Sequence, residues 1–148
     1  GVKGMLMAPK RGDIVKGSGG EKVAFVTLGA GGPVVYFDAL HQAGIKAIPV
    51  VPSLKLAKRV EAAGADAIII EGMEAGGHIG VLTTMALMTQ VIPEVSLPVI
   101  VAGGFADGRG LAAAFALSAG VGCGLFSVVA SATALLCAFL PGASMVFS

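Results

Sequence analysis

The stretch DAIIIEGMEAGGHIG at residues 66–80 decides how this chain is read. Its first third is a short β-branched apolar run, Asp66 to Ile70. A glycine-rich loop from Glu71 to Leu82 follows, and Thr83 or Thr84 then suits the cap of a helix that ends by Pro93. Apolar residues stand on consecutive rather than alternate positions, as expected of a parallel strand covered on both faces.

The same unit recurs on either side. Val23 to Leu28 is a second apolar run, closed by Gly29-Ala30-Gly31-Gly32, and Pro33 suits the start of a helix reaching Ala43 and stopped by Gly44. Lys46 to Val51 is a third run, with Pro52-Ser53 as its turn and Ser53 as the cap of a helix ending near Gly64. Downstream, Leu97 to Ala102 ends in Gly103-Gly104-Phe105-Ala106, and Asp107 caps a helix running to about Ala119. The runs Val2 to Ala8 and Val121 to Ala130 add two further candidate strands. Strands alternating with helices imply a parallel α/β sheet of about six βα units. A closed eight-stranded barrel takes about 250 residues, so the 148 residues here predict part of a barrel or a smaller open sheet. No domain boundary is evident in 1–148. The glycine-rich stretch from Lys10 to Lys22 is a poor helix former.

Composition narrows the function. A net charge of +1 and the absence of a basic stripe with interleaved aromatics disfavour nucleic acid as a partner. After Arg109 the chain carries no Asp, Glu, Lys or Arg, and the divergent apolar segment 121–148 contains a window, Val121 to Leu140, long enough to span a bilayer. Gly120, Gly122 and Gly124 at one end, Pro141-Gly142 at the other and the lack of a basic flank favour a buried strand and helix over a membrane hairpin. Cys123 and Cys137 form no metal-binding pattern and read as free buried thiols. No secretory signal pattern opens the sequence, which makes the cytoplasm the default.

Two motifs carry chemistry. In EGMEAGGHIG (71–80), Gly76 and Gly77 let the backbone approach a flat ligand, and His78 can transfer a proton near neutral pH. The loop follows a strand and precedes a helix, so it lies at the strands' carboxyl edge, where parallel sheets bind ligands. On spacing alone, a solvated surface histidine is an equal reading. In VIVAGGFADG (99–108), Gly103 and Gly104 precede a helix start and form a candidate phosphate cradle, although an ordinary tight turn reads the same. Gly29-Ala30-Gly31-Gly32 carries the same ambiguity. No dinucleotide fingerprint, P-loop or nucleophile elbow is present. His41, near a helix end, reads as a capping or surface residue.

Together the words VTLGAGGP (26–33), HQAGIKAIPVVPS (41–53), AKRVEAAGADAIIIEGMEAGGHIG (57–80), LTTM (82–85) and LPVIVAGGFADGRGLAAAFALSAG (97–120) resemble the FMN-dependent family of nitronate monooxygenases and flavin-type enoyl-acyl-carrier-protein reductases. The resemblance covers nearly the whole chain and about half the usual family length. It implies an incomplete TIM-type (β/α) barrel lacking the first two strands. It also implies FMN across the strand ends, its phosphate on Gly103 and Gly104, its ring near Gly76 and Gly77, and Thr27, Gly29 and Gly31 lining the same mouth. His78 matches the family's active-site histidine, the base toward a nitronate or a neighbour of flavin and enoyl thioester, with NAD(P)H as electron donor in the reductase case. Glu74 is expected to order the loop, with no chemical step of its own.

The chain departs from the family where Gly-Thr-Arg-Phe normally follows the last strand. Here the stretch reads Gly124-Leu125-Phe126-Ser127, with Gly124 as the matching phosphate-site glycine and a hydroxyl and a cation lost. Two readings follow. One is an FMN oxidoreductase acting on a small nitronate or enoyl thioester, between which the sequence does not separate. The other is a truncated, inactive family fragment that no longer holds FMN tightly and, with open apolar strand edges, tends to self-association or homo-oligomers.

Overall fold

The computed structural model describes residues 24–29, 32–74, 80–118 and 126–128. Five parallel strands stand in consecutive order: β1 (Phe25–Leu28), β2 (Lys46–Val51), β3 (Ile68–Glu71), β4 (Val99–Ala102) and β5 (Phe126–Val128). Helices connect them: α1 (Phe37–Gln42) after a 3-10 turn at Pro33–Tyr36, α2 (Leu54–Ala62), α3 (Thr84–Val91) with a 3-10 extension at Ile92–Glu94, and α4 (Gly108–Ser118). The parallel α/β arrangement expected from the alternation is therefore present. Of the six expected βα units, five strands fall among the described residues; the candidate strand from Val2 to Ala8 lies outside them, as does the stretch Lys10 to Lys22.

Local chemistry sets the boundaries. The Ser53 hydroxyl accepts from the Leu56 N–H at 3.3 Å and that of Thr83 from Ala86 N–H at 3.4 Å, so each caps its helix. Asp107 does the same for α4, accepting from Arg109 N–H at 2.9 Å. Gly44 and Gly64, both at positive φ, stop α1 and α2. Pro33 opens a 3-10 turn, not the expected α-helix: Gly32 sits left-handed at φ 80° and offers no side-chain cap. The last strand falls within the run expected from Val121 to Ala130, of which residues 126–128 are described. It forms over the β-preferring run Phe126-Ser127-Val128, in register with Val99, Ile100 and Val101.

The two faces of the sheet bury different partners. Val26, Leu28, Ala47, Val51, Ile68, Ile70, Val99 and Val101 pack against Phe37 and Leu40 of α1, Ala57 and Val60 of α2, Leu87, Met88 and Val91 of α3 and Ala114 of α4. The alternate residues Phe25, Ile48, Ala67 and Ile69 form a second cluster with Val50, Ile100 and Ala102, to which no described helix contributes. Strand residues alternate between faces, so Thr27 and Glu71 belong to this second face at the carboxyl ends of β1 and β3. Both faces being apolar explains why the strands read as unbroken hydrophobic runs.

A candidate site at the carboxyl edge of the sheet

Three turns meet the carboxyl edge of β2, β3 and β4, and the loop after β3 ties them together. Gly72 lies so close to the start of α3 that a Cβ there would stand 2.2 Å from the Thr84 main-chain nitrogen. Met73 N–H then donates to Leu82 C=O at 2.8 Å, closing the loop at its base. Glu74 reaches across the same gap: its Oε2 accepts from Thr84 N–H at 2.9 Å and from the Thr84 hydroxyl at 3.1 Å. On the returning side, a Cβ on Gly80 would stand 3.0 Å from Pro52 Cβ, in the turn after β2. The described ends of the loop thus meet the start of α3 on one side and the turn after β2 on the other.

The turn after β4 is built from two consecutive left-handed glycines, Gly103 at φ 87° and Gly104 at φ 76°. Only glycine adopts such a pair without steric cost. A Cβ on Gly104 would stand 3.2 Å from Glu74 Oε1 and 3.5 Å from Thr84 Oγ1, so the glycine turn and the loop base are in contact. Among the described residues, none accepts a hydrogen bond from the main-chain N–H of Gly104 or Phe105. The amino end of α4, by contrast, is already served by the Asp107 carboxylate, which also pairs with the Arg109 guanidinium. The main-chain N–H groups left without an acceptor among the described residues at this edge thus belong to the glycine turn, while the α4 terminus already has one.

Electrostatics separates the two acids of the loop. Burial pushes the Glu71 carboxyl above its ordinary value, and Ala102 is its register partner on β4. Partial desolvation acts the same way on Glu74, but the hydrogen bonds from Thr84 outweigh it and hold this carboxyl below its ordinary value. The Asp107 carboxyl is likewise lowered, by Arg109.

Thr27, Gly103 and Gly104 lie at this edge, Thr27 buried at 8% exposure on the second face of β1, and Gly29 follows β1 directly. Gly31, Gly76, Gly77, His78 and Gly124 lie outside the described residues. Phe126 and Ser127 correct the expectation that 124–127 follows a strand end: Ser127 pairs with Ile100 inside the sheet. His41 is where the sequence put it, in the last turn of α1, its Nε2 3.0 Å from Asp66 Oδ2 at the opposite edge. Glu71 and Gly72 were missed as site residues. The signal for Gly72 was its position directly after a strand; none pointed to Glu71. No helix among the described residues is long and apolar enough to cross a membrane.

A parallel α/β sheet with a glycine turn and a glycine-rich loop at its carboxyl edge places this chain in the α/β class, whose sheets bind ligands at that edge. The family model for nitronate monooxygenase matches residues 12–139, and the chain belongs to that family of oxidoreductases. It is 46% identical over 109 residues to a nitronate monooxygenase of Paraburkholderia phytofirmans, covering 67% of this chain and 30% of the relative. It is 50% identical over 80 residues to the (3aS,4S,5R,7aS)-5-hydroxy-7a-methyl-1-oxo-octahydro-1H-indene-4-carboxyl-CoA dehydrogenase of Rhodococcus jostii, covering 54% and 23%. Among solved structures, FabK from Thermotoga maritima superposes with a TM-score of 0.73 at 53% identity, over 83% of this chain and 38% of that one. The chain thus spans less than a third of these two curated relatives.

Proposed function

We propose that the carboxyl edge binds FMN and that the chain carries the corresponding part of an FMN-dependent oxidoreductase built on a TIM-type barrel. Consecutive strand order and described helices on one face only support a barrel sector, because a doubly wound sheet reverses its order and is covered by helices on both faces. The observation that carries the flavin reading is the Gly103–Gly104 turn, with main-chain N–H groups at a strand edge that no described residue accepts from. FMN, when bound, supplies the redox chemistry.

The chain's own residues supply placement and proton transfer. Gly104 and Phe105 N–H hold the phosphate, Gly76 and Gly77 allow close approach of a flat ring, and Thr27, Gly29 and Gly31 line the mouth beside β1. His78, two residues before Gly80 in sequence, matches the family's active-site histidine and is the residue given the proton-transfer role at this edge. There a ring nitrogen takes the proton alpha to a nitro group or faces an enoyl thioester. The FabK likeness, at 53% identity over most of the chain, favours the enoyl-thioester branch, with NAD(P)H as donor. The Paraburkholderia relative supports the nitronate branch.

Reconstitution tests the proposal. The purified chain is mixed with FMN, freed of excess by gel filtration, and its visible absorbance recorded. Near-stoichiometric flavin that is lost in Gly104→Asp supports it, since that side chain adds a charge and a strained φ beside Glu74. A colourless wild-type peak refutes it and leaves a family fragment whose motifs outlast its binding site.

A further inference from the structure

Glu74 was expected only to order its own loop, yet its two oxygens face two different turns. Oε2 takes both donors of Thr84, while Oε1 lies toward Gly104. Thr84 itself is buried at 4% exposure, and its hydroxyl also stands 3.5 Å from Ala102 C=O, the last residue of β4. Thr83 caps the helix through Ala86 N–H, and Glu74 adds a bond from outside the helix to its first N–H, that of Thr84. The loop does not need Glu74 for closure, because Met73 and Leu82 close it through the main chain. What the side chain adds is a link between the β3–α3 loop and the β4–α4 turn.

We propose that Glu74 is a positioning residue that holds the base of the β3–α3 loop, at the start of α3, and the Gly103–Gly104 turn in one relative placement. The inference rests on the flavin reading for its consequence and on the Glu74–Thr84–Gly104 contacts for its substance. A negative charge beside a phosphate turn is itself unfavourable, so the useful property is the shape and accepting capacity of the side chain. Glutamine keeps both: its amide oxygen accepts from Thr84 as the carboxylate does. Occupancy of the glycine turn and placement of the loop are then coupled, and an effect on one is returned on the other.

The test compares the wild-type chain with Glu74→Ala, Glu74→Gln and, as an acidic control distant in sequence, Glu94→Ala. Amide exchange at Met73 and Thr84 and the 15N chemical shift of Gly104 are read without flavin. FMN affinity is read by quenching of flavin fluorescence. Glu74→Ala is expected to speed exchange at Thr84 about tenfold, the equivalent of one lost hydrogen bond to a charged group. It is also expected to shift the Gly104 resonance and weaken FMN by a similar factor, while Glu74→Gln restores all three. Exchange and Gly104 shift unchanged in Glu74→Ala, or Glu74→Gln as impaired as Glu74→Ala, overturn the inference. A wild-type chain that holds no FMN sinks the flavin reading alone, since exchange and the Gly104 shift still decide whether the link exists.

Discussion

Replacing Gly72 by alanine tests the packing that seats the loop. The residue is buried and its φ is not left-handed, so alanine suffers no backbone strain there; only space is at issue. A Cβ would lie 2.2 Å from Thr84 N, 2.6 Å from Thr84 Cα and 2.6 Å from Thr84 Oγ1. Reaching the 3.4 Å of an ordinary contact requires 3.4 − 2.2 = 1.2 Å of movement, and the atoms in the way are mainly backbone at the start of α3. Such overpacking costs about 1–3 kcal/mol. The same movement would draw Thr84 N–H, now at 2.9 Å, out of reach of Glu74, a further loss of about 1 kcal/mol. Alanine returns about 0.4–1 kcal/mol by restricting the unfolded chain. The net expectation is a loss of about 1–3.5 kcal/mol, read as a lower urea midpoint at unchanged slope in far-UV circular dichroism. Gly108→Ala is the control. A Cβ there meets nothing within 4 Å, and the residue opens α4, so stability should hold or rise by up to about 1 kcal/mol. If Gly72→Ala unfolds within about 0.5 kcal/mol of the wild type, below the usual cost of overpacking, the close approach of loop and helix is wrong.

At the opposite edge, Asp66 Oδ2 accepts from the N–H of fully buried Ala47 at 2.8 Å as well as meeting His41. Asp66→Ala should therefore cost about 2 kcal/mol by stranding that N–H, while His41→Ala, removing a partly exposed partner, should cost less than about 1 kcal/mol. Neither should alter flavin retention; loss of FMN in His41→Ala would give that histidine a role denied it here. Glu71→Gln should show a pH signature. Its carboxyl lies above the ordinary 4.5 in the folded chain, so the fold prefers the neutral form and ionisation is destabilising. Glu71→Gln should be the more stable protein at neutral pH. Its advantage should shrink as pH falls through the raised value toward 4.5, in thermal melts between acid and neutral pH. A gap that widens on acidification would contradict the burial of this carboxyl.

Much of the fold was legible because it is locally encoded. Ser53, Thr83 and Asp107 cap helices with their own side chains, and Gly44 and Gly64 stop them, so those boundaries follow from neighbouring residues alone. β2 forms over Lys46–Val51, the span its apolar run marks. What was hidden depends on residues distant in sequence. Glu74 finds Thr84 ten positions on, His41 finds Asp66 twenty-five positions on, and Gly72 is confined by a helix that begins only after the loop has returned. The unit at 121–130 was legible as a strand but not in its register, because a run apolar throughout has no period to fix its pairing.

The Met73–Leu82 bond carries a meaning for how such a chain can diversify. Because main-chain atoms clasp the loop at both ends, the clasp does not depend on the side chains between them, and extra residues can be added beside Glu74, Gly76, Gly77 and His78 while the sheet keeps its shape. Doubling the length of a closed loop adds only about 0.6 kcal/mol of closure entropy. Insertions there are cheap compared with a change at Gly72, and new substrate preferences are expected to arise inside the clasp while its hinges stay as they are.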